Sequence, residues 1–223
     1  MMLMCRYFDA PVDFTNKNVK ILAIENKELF RKVITSLHNE NEDEFFVFSE
    51  DYKPLSFKKF VRFLDALITF SFADKKMMTK VLEDFDRMSN IKYAQELWTI
   101  RQGCVDLCEK LAQEYEYDFD FCDEIESLAL IKLFNFTPRD DTSSFVEKLT
   151  RYFKLMRKYI GIRCFVIMNM HMYLTDEEIA EICSFTKQNE ICVLDIETTA
   201  PQNVLRDEQL IIIDKDLCTM LDK

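Results

Sequence analysis

Apolar and polar positions alternate along the chain in two different rhythms. Asn18-Val-Lys-Ile-Leu-Ala-Ile-Glu25 is apolar and β-branched, which predicts a buried strand. Apolar residues then recur at Leu29, Phe30, Val33, Ile34 and Leu37, the spacing of one helix face. An acidic, Asn-rich turn over residues 39–44 leads to a second short strand from Phe45 to Phe48. Lys53-Pro54-Leu55-Ser56 breaks the pattern, and from about 57 to 135 it predicts helices and no strand. The helical stripes are Phe60, Phe63, Leu64 and Leu67; then Met77, Met78, Val81, Leu82 and Phe85; then Tyr93, Leu97, Ile100, Cys104, Leu107, Cys108 and Leu111. A fourth starts at Ile125, Leu128, Leu130 and Ile131.

Residues 133–141, with Thr137-Pro-Arg-Asp-Asp141, read as a boundary. Ser144-Phe-Val-Glu147 is a capping-box pattern, in which the hydroxyl and the carboxylate each take one orphan N–H. It opens a basic helix to Tyr159, with Gly161 placed as its stop. Ile162 to Met168 is a strongly apolar strand. Thr175-Asp-Glu-Glu178 opens a helix to about Lys187, and Glu190–Ile196 and Gln209–Ile213 are the last strands expected. Strand–helix–strand at both ends, with apolar strands, predicts a sheet covered on both faces. The fold class is therefore α/β: a body from residues 1–55 and 142–223, with a helical arm from 56–141 inserted.

Composition agrees with this division. With 2 Gly and 4 Pro, the chain lacks the turn residues an all-β sandwich needs every 8–12 positions or so. At 48% hydrophobic residues it is too apolar for disorder. No run reaches the roughly 18–20 apolar residues of a membrane helix. Met1 to Asp9 lacks the apolar stretch of a signal peptide, so an intracellular, cytoplasmic location is expected. The eight cysteines are scattered, without C-x-x-C, and read as buried free thiols in a reducing compartment.

The net charge of −11 argues against nucleic acid only if the charges are mixed. They are segregated. Lys53 to Arg101 carries ten basic and six acidic residues; Asp106 to Glu126 carries nine acidic residues and only Lys110 against them. Glu147 to Arg163 carries six basic residues and one acidic. Arg151, Lys154, Arg157 and Lys158 stand three or four apart or adjacent and share one side of a helix, a spacing that can follow a phosphate backbone or simply face solvent. Lys58, Lys59, Arg62, Lys75, Lys76 and Lys80 admit the same two readings.

In the acidic block, carboxylates at 114, 116, 118 and 120 alternate with aromatics at 115, 117, 119 and 121. Crowded like charges suit full hydration, a partner-facing surface, or a hard divalent cation such as calcium. The spacing is not an EF-hand: counted from Asp118, position 6 is Asp123 and position 12 is Ala129.

Catalytic motifs are absent. Two glycines cannot build a phosphate cradle, and no nucleophile elbow or zinc-protease helix occurs. His38 ends a helix. His171 follows a strand, where α/β active sites lie, although a structural role is the simpler reading. Asp195 and Glu197 form a D-x-E at a strand end, the start of a metal-nuclease arrangement.

An ordered set of stretches resembles the small adaptation protein of type II-A CRISPR systems. They are Val19-Lys-Ile-Leu-Ala-Ile-Glu25 with the Phe30 helix; Asp123-Glu-Ile-x-x-Leu-x-Leu-Ile-Lys132 after the acidic-aromatic run; Phe165-Val-Ile-Met-Asn169; Leu174-Thr-Asp-Glu-Glu-Ile179; and Val193-Leu-x-Ile-Glu197. The resemblance spans the chain. It implies an ATPase-like α/β head without a working phosphate loop, a helical arm, and a ring-shaped homotetramer. It implies Ca²⁺ held by acidic residues, by position Glu114, Glu116, Asp118, Asp120, Asp123, Glu124 and Glu126, with one extra residue near Cys122 relative to the family pattern. It further implies non-enzymatic binding of linear double-stranded DNA by its ends, without sequence readout, in spacer acquisition alongside the integrase complex and the RNA-guided nuclease. The DNA-contact candidates are Lys58, Lys59, Arg62, Lys75, Lys76 and Lys80, then Arg151, Lys154, Arg157 and Lys158. A protein-interaction module without DNA binding and a metal nuclease using Asp195 and Glu197 are the alternatives.

Overall fold

The computed structural model describes residues 1–39, 45–122, 124, 126–139 and 144–221. In chain order the elements are β1 (Met2–Cys5), β2 (Val12–Asp13), β3 (Val19–Ile24), α1 (Lys27–His38), β4 (Phe46–Glu50), β5 (Lys53–Pro54), α2 (Phe57–Phe60) and β6 (Val61–Leu64). Then come α3 (Lys75–Ile91), α4 (Ala94–Gln113), α5 (Ser127–Leu133), α6 (Phe145–Leu155), β7 (Cys164–Met168), α7 (Met170–Tyr173), α8 (Asp176–Gln188), β8 (Cys192–Glu197), β9 (Glu208–Ile213) and β10 (Thr219–Leu221). They fall into two compact units, Met1–Ser71 with Asp140–Lys223, and Phe72–Arg139.

The first unit is built on a six-stranded sheet ordered β10-β9-β3-β8-β7-β6. β3 runs parallel to both β8 and β9, and β7 runs parallel to β8 and β6. Only β10 is antiparallel, folded back on β9. Register fixes the faces. Ile21 stands opposite Asp195 and Leu210, and Ala23 opposite Glu197, so these residues share one side. Leu22, Ile196 and Ile211 point to the other.

That second side meets an antiparallel sheet ordered β2-β1-β4-β5, together with α1. Leu3, Phe14, Phe48, Leu29 and Val33 pack there with Leu22, Leu194 and Ile213. β1 is not legible in the sequence, where Met1 to Asp9 carries mixed residues. A sheet, and not helices alone, therefore covers this face. The first side is closed in part by α6 and α8: Phe153 stacks on Phe165 at 4.0 Å, and Ile179 and Ile182 are buried.

Local chemistry sets the helix ends. Asn26 accepts from the N–H groups of Glu28 and Leu29 at the start of α1. Thr175 and Glu178 form the reciprocal capping box expected on α8. On α6 the Ser144 hydroxyl accepts from the Glu147 N–H at 3.4 Å, while the Glu147 carboxylate reaches Arg151 at 3.0 Å. α6 ends at Leu155 and widens into a π turn over Met156–Ile160. Gly161, at φ +86°, stops it as expected, a conformation that other residues adopt only with strain.

Three expectations are corrected. Residues 57–71 are not part of a strand-free arm: Val61–Leu64 forms β6 on the edge of the main sheet. The i, i+3 spacing of Phe60, Phe63, Leu64 and Leu67 suggested a helix. Pairing with β7, which buries Val61 and Leu64, overrides it. The break between compact units consequently falls at 71/72 and not at 55/56. Second, β10 follows what read as the last strand. Third, Cys108, Cys122 and Cys218 are exposed, although all eight cysteines are free. Most of the turn at 39–44 and the proposed boundary at 141/142 lie outside the described residues.

In the second unit, α3 packs against α4 and α5. Asp74 caps α3 by accepting from the Met77 N–H at 2.9 Å. Asn90 donates to the Ser127 hydroxyl at 2.7 Å, and that hydroxyl donates to Asp86, tying α5 to α3. Phe85 and Phe136 meet edge to face at 5.6 Å. The apolar stripe of α4 is largely uncovered: Leu97 is buried, but Tyr93, Ile100, Leu107 and Leu111 are exposed. No helix among the described residues is long and apolar enough to cross a membrane.

Candidate functional site

The basic candidates are divided between the units. Lys58 and Lys59 are exposed on α2, and Arg62 lies half-buried on β6. Lys75, Lys76 and Lys80 are on the first turns of α3, where Lys80 pairs with Glu83 at 2.7 Å. Arg151 pairs with Glu147, Lys154 is exposed, and Lys158 lies over the Tyr159 ring at 4.4 Å. The π turn changes the residue count per turn between Lys154 and Lys158, so the four-residue stripe is not one straight row.

The acidic block follows the end of α4. Glu114, Glu116, Asp118, Asp120, Glu124 and Glu126 are all exposed, as are Tyr115, Tyr117, Phe119 and Phe121. Tyr115 and Phe119 touch edge to face at 5.4 Å. The segment is irregular and not an extended strand. Its donors are all carboxylate oxygens, the set a calcium ion takes. Among the described residues these carboxylates do not bring three ligand atoms together. Asp123 lies outside the described residues.

The convergence occurs elsewhere, on the face of the main sheet that carries Ile21 and Ala23. His171 leads out of β7 in the single-turn helix α7, just after Asn169, whose φ is +55°. Its ring lies over the sheet between three carboxylates. Nδ1 stands 2.8 Å from Asp195 Oδ2 and 3.6 Å from Glu197 Oε1. Nε2 stands 3.3 Å from Glu208 Oε1 and 3.4 Å from its Oε2. Backbone donors fix each carboxylate. Met170 N–H donates to Asp195 at 2.9 Å, His171 N–H to Glu197 at 3.0 Å, and Leu205 N–H to Glu208 at 2.9 Å.

Burial sets the electrostatics. Asp195 has no exposed surface, and Glu208 only 1%. Burial pushes Asp195 up from the ordinary carboxylate range, against the pull of His171. Burial by itself would push His171 down. The hydrogen bonds that the ring donates to Asp195, Glu197 and Glu208 outweigh it and raise the imidazole to about 11. The ring is therefore an imidazolium at neutral pH in the absence of a competing cation. His171, Asp195 and Glu197 place ligand atoms within 4.8 Å of one another, so the group can hold a metal ion.

Sequence reading finds Asp195 and Glu197 as a D-x-E and weighs His171 as structural, but misses Glu208. Glu208 is a single polar residue ahead of an apolar strand, 37 positions from His171, and nothing local marks it as buried. The lysine that a D-x-E nuclease would want is not supplied by Lys20. That side chain lies on the opposite face, bonded to Gln209 at 2.6 Å and near the Phe14 ring.

A family model described as CRISPR-associated protein (Cas_Csn2) matches residues 18–217. No curated protein matches the chain significantly.

Proposed function

Because the chain belongs to the CRISPR-associated Csn2 family, with the role in CRISPR adaptation that membership carries, we propose that it binds the ends of linear double-stranded DNA as a calcium-dependent tetrameric ring. The observation that carries this reading is the family match, which runs from β3 to the turn before β10. It is the type II-A adaptation family that the sequence resembles.

The physical scheme is charge cancellation followed by assembly. Glu114, Glu116, Asp118, Asp120, Asp123, Glu124 and Glu126 would hold Ca²⁺, which supplies positive charge to a crowd of exposed carboxylates. The exposed stripe of α4 and the exposed aromatics at 115–121 are apolar surface suited to another copy of the arm. Lys75, Lys76 and Lys80 of the second unit would then meet a duplex entering by its end, and Lys58, Lys59 and Arg62 of the first unit are further candidates for phosphate contact. Binding gains from release of the counterions condensed on DNA, needs no base contact, and weakens steeply with salt. Arg151, Lys154, Arg157 and Lys158 form a second phosphate-facing group.

The protein acts on DNA without cutting it. Glycine-rich phosphate loops are missing from the sequence, so the ATPase-like head has no nucleotide to turn over. Asp195 has no exposed surface, which supports the non-enzymatic reading. The setting is the cytoplasm, and the partners are further copies of the chain, the integrase complex and the RNA-guided nuclease.

A gel-shift series tests the proposal: linear and covalently closed duplex, each with calcium or with a chelator. A shift confined to linear duplex in calcium is expected. A shift of both forms, or of neither, contradicts end binding, and shortened products would transfer the case to a nuclease.

A further inference from the structure

We propose that His171, Asp195 and Glu197 form a site for one nitrogen-accepting divalent cation of the manganese or zinc class, oriented by Glu208 and distinct from the calcium carboxylates at 114–126. Three observations carry it independently of how the arm binds calcium.

The first is donor geometry. Nδ1 of His171 lies 2.8 Å from Asp195 Oδ2 and 3.6 Å from Glu197 Oε1. Ligand atoms at those separations can share one ion with bonds of about 2.0–2.2 Å. The other oxygen of Asp195 is already held by the Met170 N–H, which leaves Oδ2 turned toward the ring.

The second is Glu208. Its Oε1 is buried, has no hydrogen-bond partner, and stands 3.3 Å from Nε2. Metal-ligating histidines commonly donate their far ring N–H to a carboxylate, which fixes the tautomer and strengthens the near nitrogen as a ligand. Glu208 occupies that place. With a cation on Nδ1, the Nε2–H would stay directed at the Glu208 carboxylate, whose two oxygens stand 3.3 and 3.4 Å away.

The third is donor type. Three carboxylates, of Asp195, Glu197 and Glu208, converge on one imidazole, and Asp195 and Glu208 have almost no exposed surface. An imidazole nitrogen beside carboxylates selects manganese or zinc over calcium or magnesium, which prefer all-oxygen shells. A cleft of about 710 Å³ bordered by His171, Glu197, Asn169 and Asp176 gives the ion a route in. The ion would pin the end of β7 to β8 and to the approach of β9.

The test uses the whole chain, stripped with chelator and titrated with Mn²⁺ under electron paramagnetic resonance. One ion per chain is expected, with nitrogen-14 coupling from imidazole in the echo modulation, and calcium in excess should not displace it. Glu208→Gln should weaken uptake about 10–100-fold with the fold intact by circular dichroism. His171→Ala should abolish the nitrogen coupling. Asp118→Ala with Asp120→Ala should leave both unchanged, which separates this site from the calcium reading. Absence of uptake by the unmodified protein, uptake without nitrogen coupling, or affinity unaltered in Glu208→Gln would each overturn the assignment.

Discussion

His171 and Asp195, 24 residues apart in sequence, meet with Nδ1 and Oδ2 at 2.8 Å under a sheet face that seals the carboxylate completely. The pair joins the loop after β7 to the middle of β8. Removing His171 takes the cation from three carboxylates that face it in a buried site. His171→Ala is therefore expected to cost about 3–5 kcal/mol. Urea denaturation in chelator measures it. A loss within experimental error of zero would mean that the pair is dispensable.

The same cluster sets a pH dependence with a definite sign. The native state raises His171 from 6.5 to about 11, so its stabilisation is complete below pH 6.5 and is lost as pH climbs toward 11. Burial also raises Asp195, so the native state holds that proton more tightly than the unfolded chain. Both contributions fall as pH rises. The melting temperature of the native protein, in chelator, should fall from pH 6.5 to 9.5 as this contribution is lost. A rise across that window would reverse the assigned charge states.

Much of this architecture is legible in the residues alone. β7 is a continuous apolar run, and β3 and β8 are nearly so apart from Lys20, Asp195 and Glu197, because each is buried on both faces; the Thr175 box marks the start of α8 by residue type alone. β6 misleads because a four-residue edge strand owes its existence to β7, about 100 positions away, and its apolar spacing mimics a helix. β1 escapes notice for the same reason: pairing with β4, not its own composition, makes Met2–Cys5 a strand. The candidate site divides likewise. Asp195 and Glu197 advertise themselves by spacing, whereas the bearing of Glu208 on His171 exists only after β9 folds beside β3.

The acidic block is expected to answer to calcium in solution. Calcium should raise the melting temperature of the unmodified chain, and Glu116→Ala, Asp118→Ala and Asp120→Ala together should remove most of that rise. The six described carboxylates are exposed, so the substitutions should leave calcium-free stability within about 0.5 kcal/mol of the unmodified chain. Differential scanning fluorimetry follows the calcium response, and urea denaturation in chelator measures the stability. A full calcium response in the triple variant would exclude these residues.

The lysines of α3 offer a second handle on DNA. Replacing Lys75, Lys76 and Lys80 with Ala removes three surface charges without disturbing buried residues. Affinity for linear duplex should fall. The slope of log affinity against log salt should also flatten, by about 0.9 for each phosphate that the variant no longer neutralises. Fluorescence anisotropy across a salt series checks this, and an unaltered slope would remove α3 from the DNA path.

End recognition is tested most directly by competition. A labelled linear duplex is bound in calcium, then challenged with one plasmid in closed circular form or cut once. The account predicts that a single cut converts a poor competitor into an effective one, at equal mass of DNA. Equal competition by the closed and the cut plasmid would contradict it.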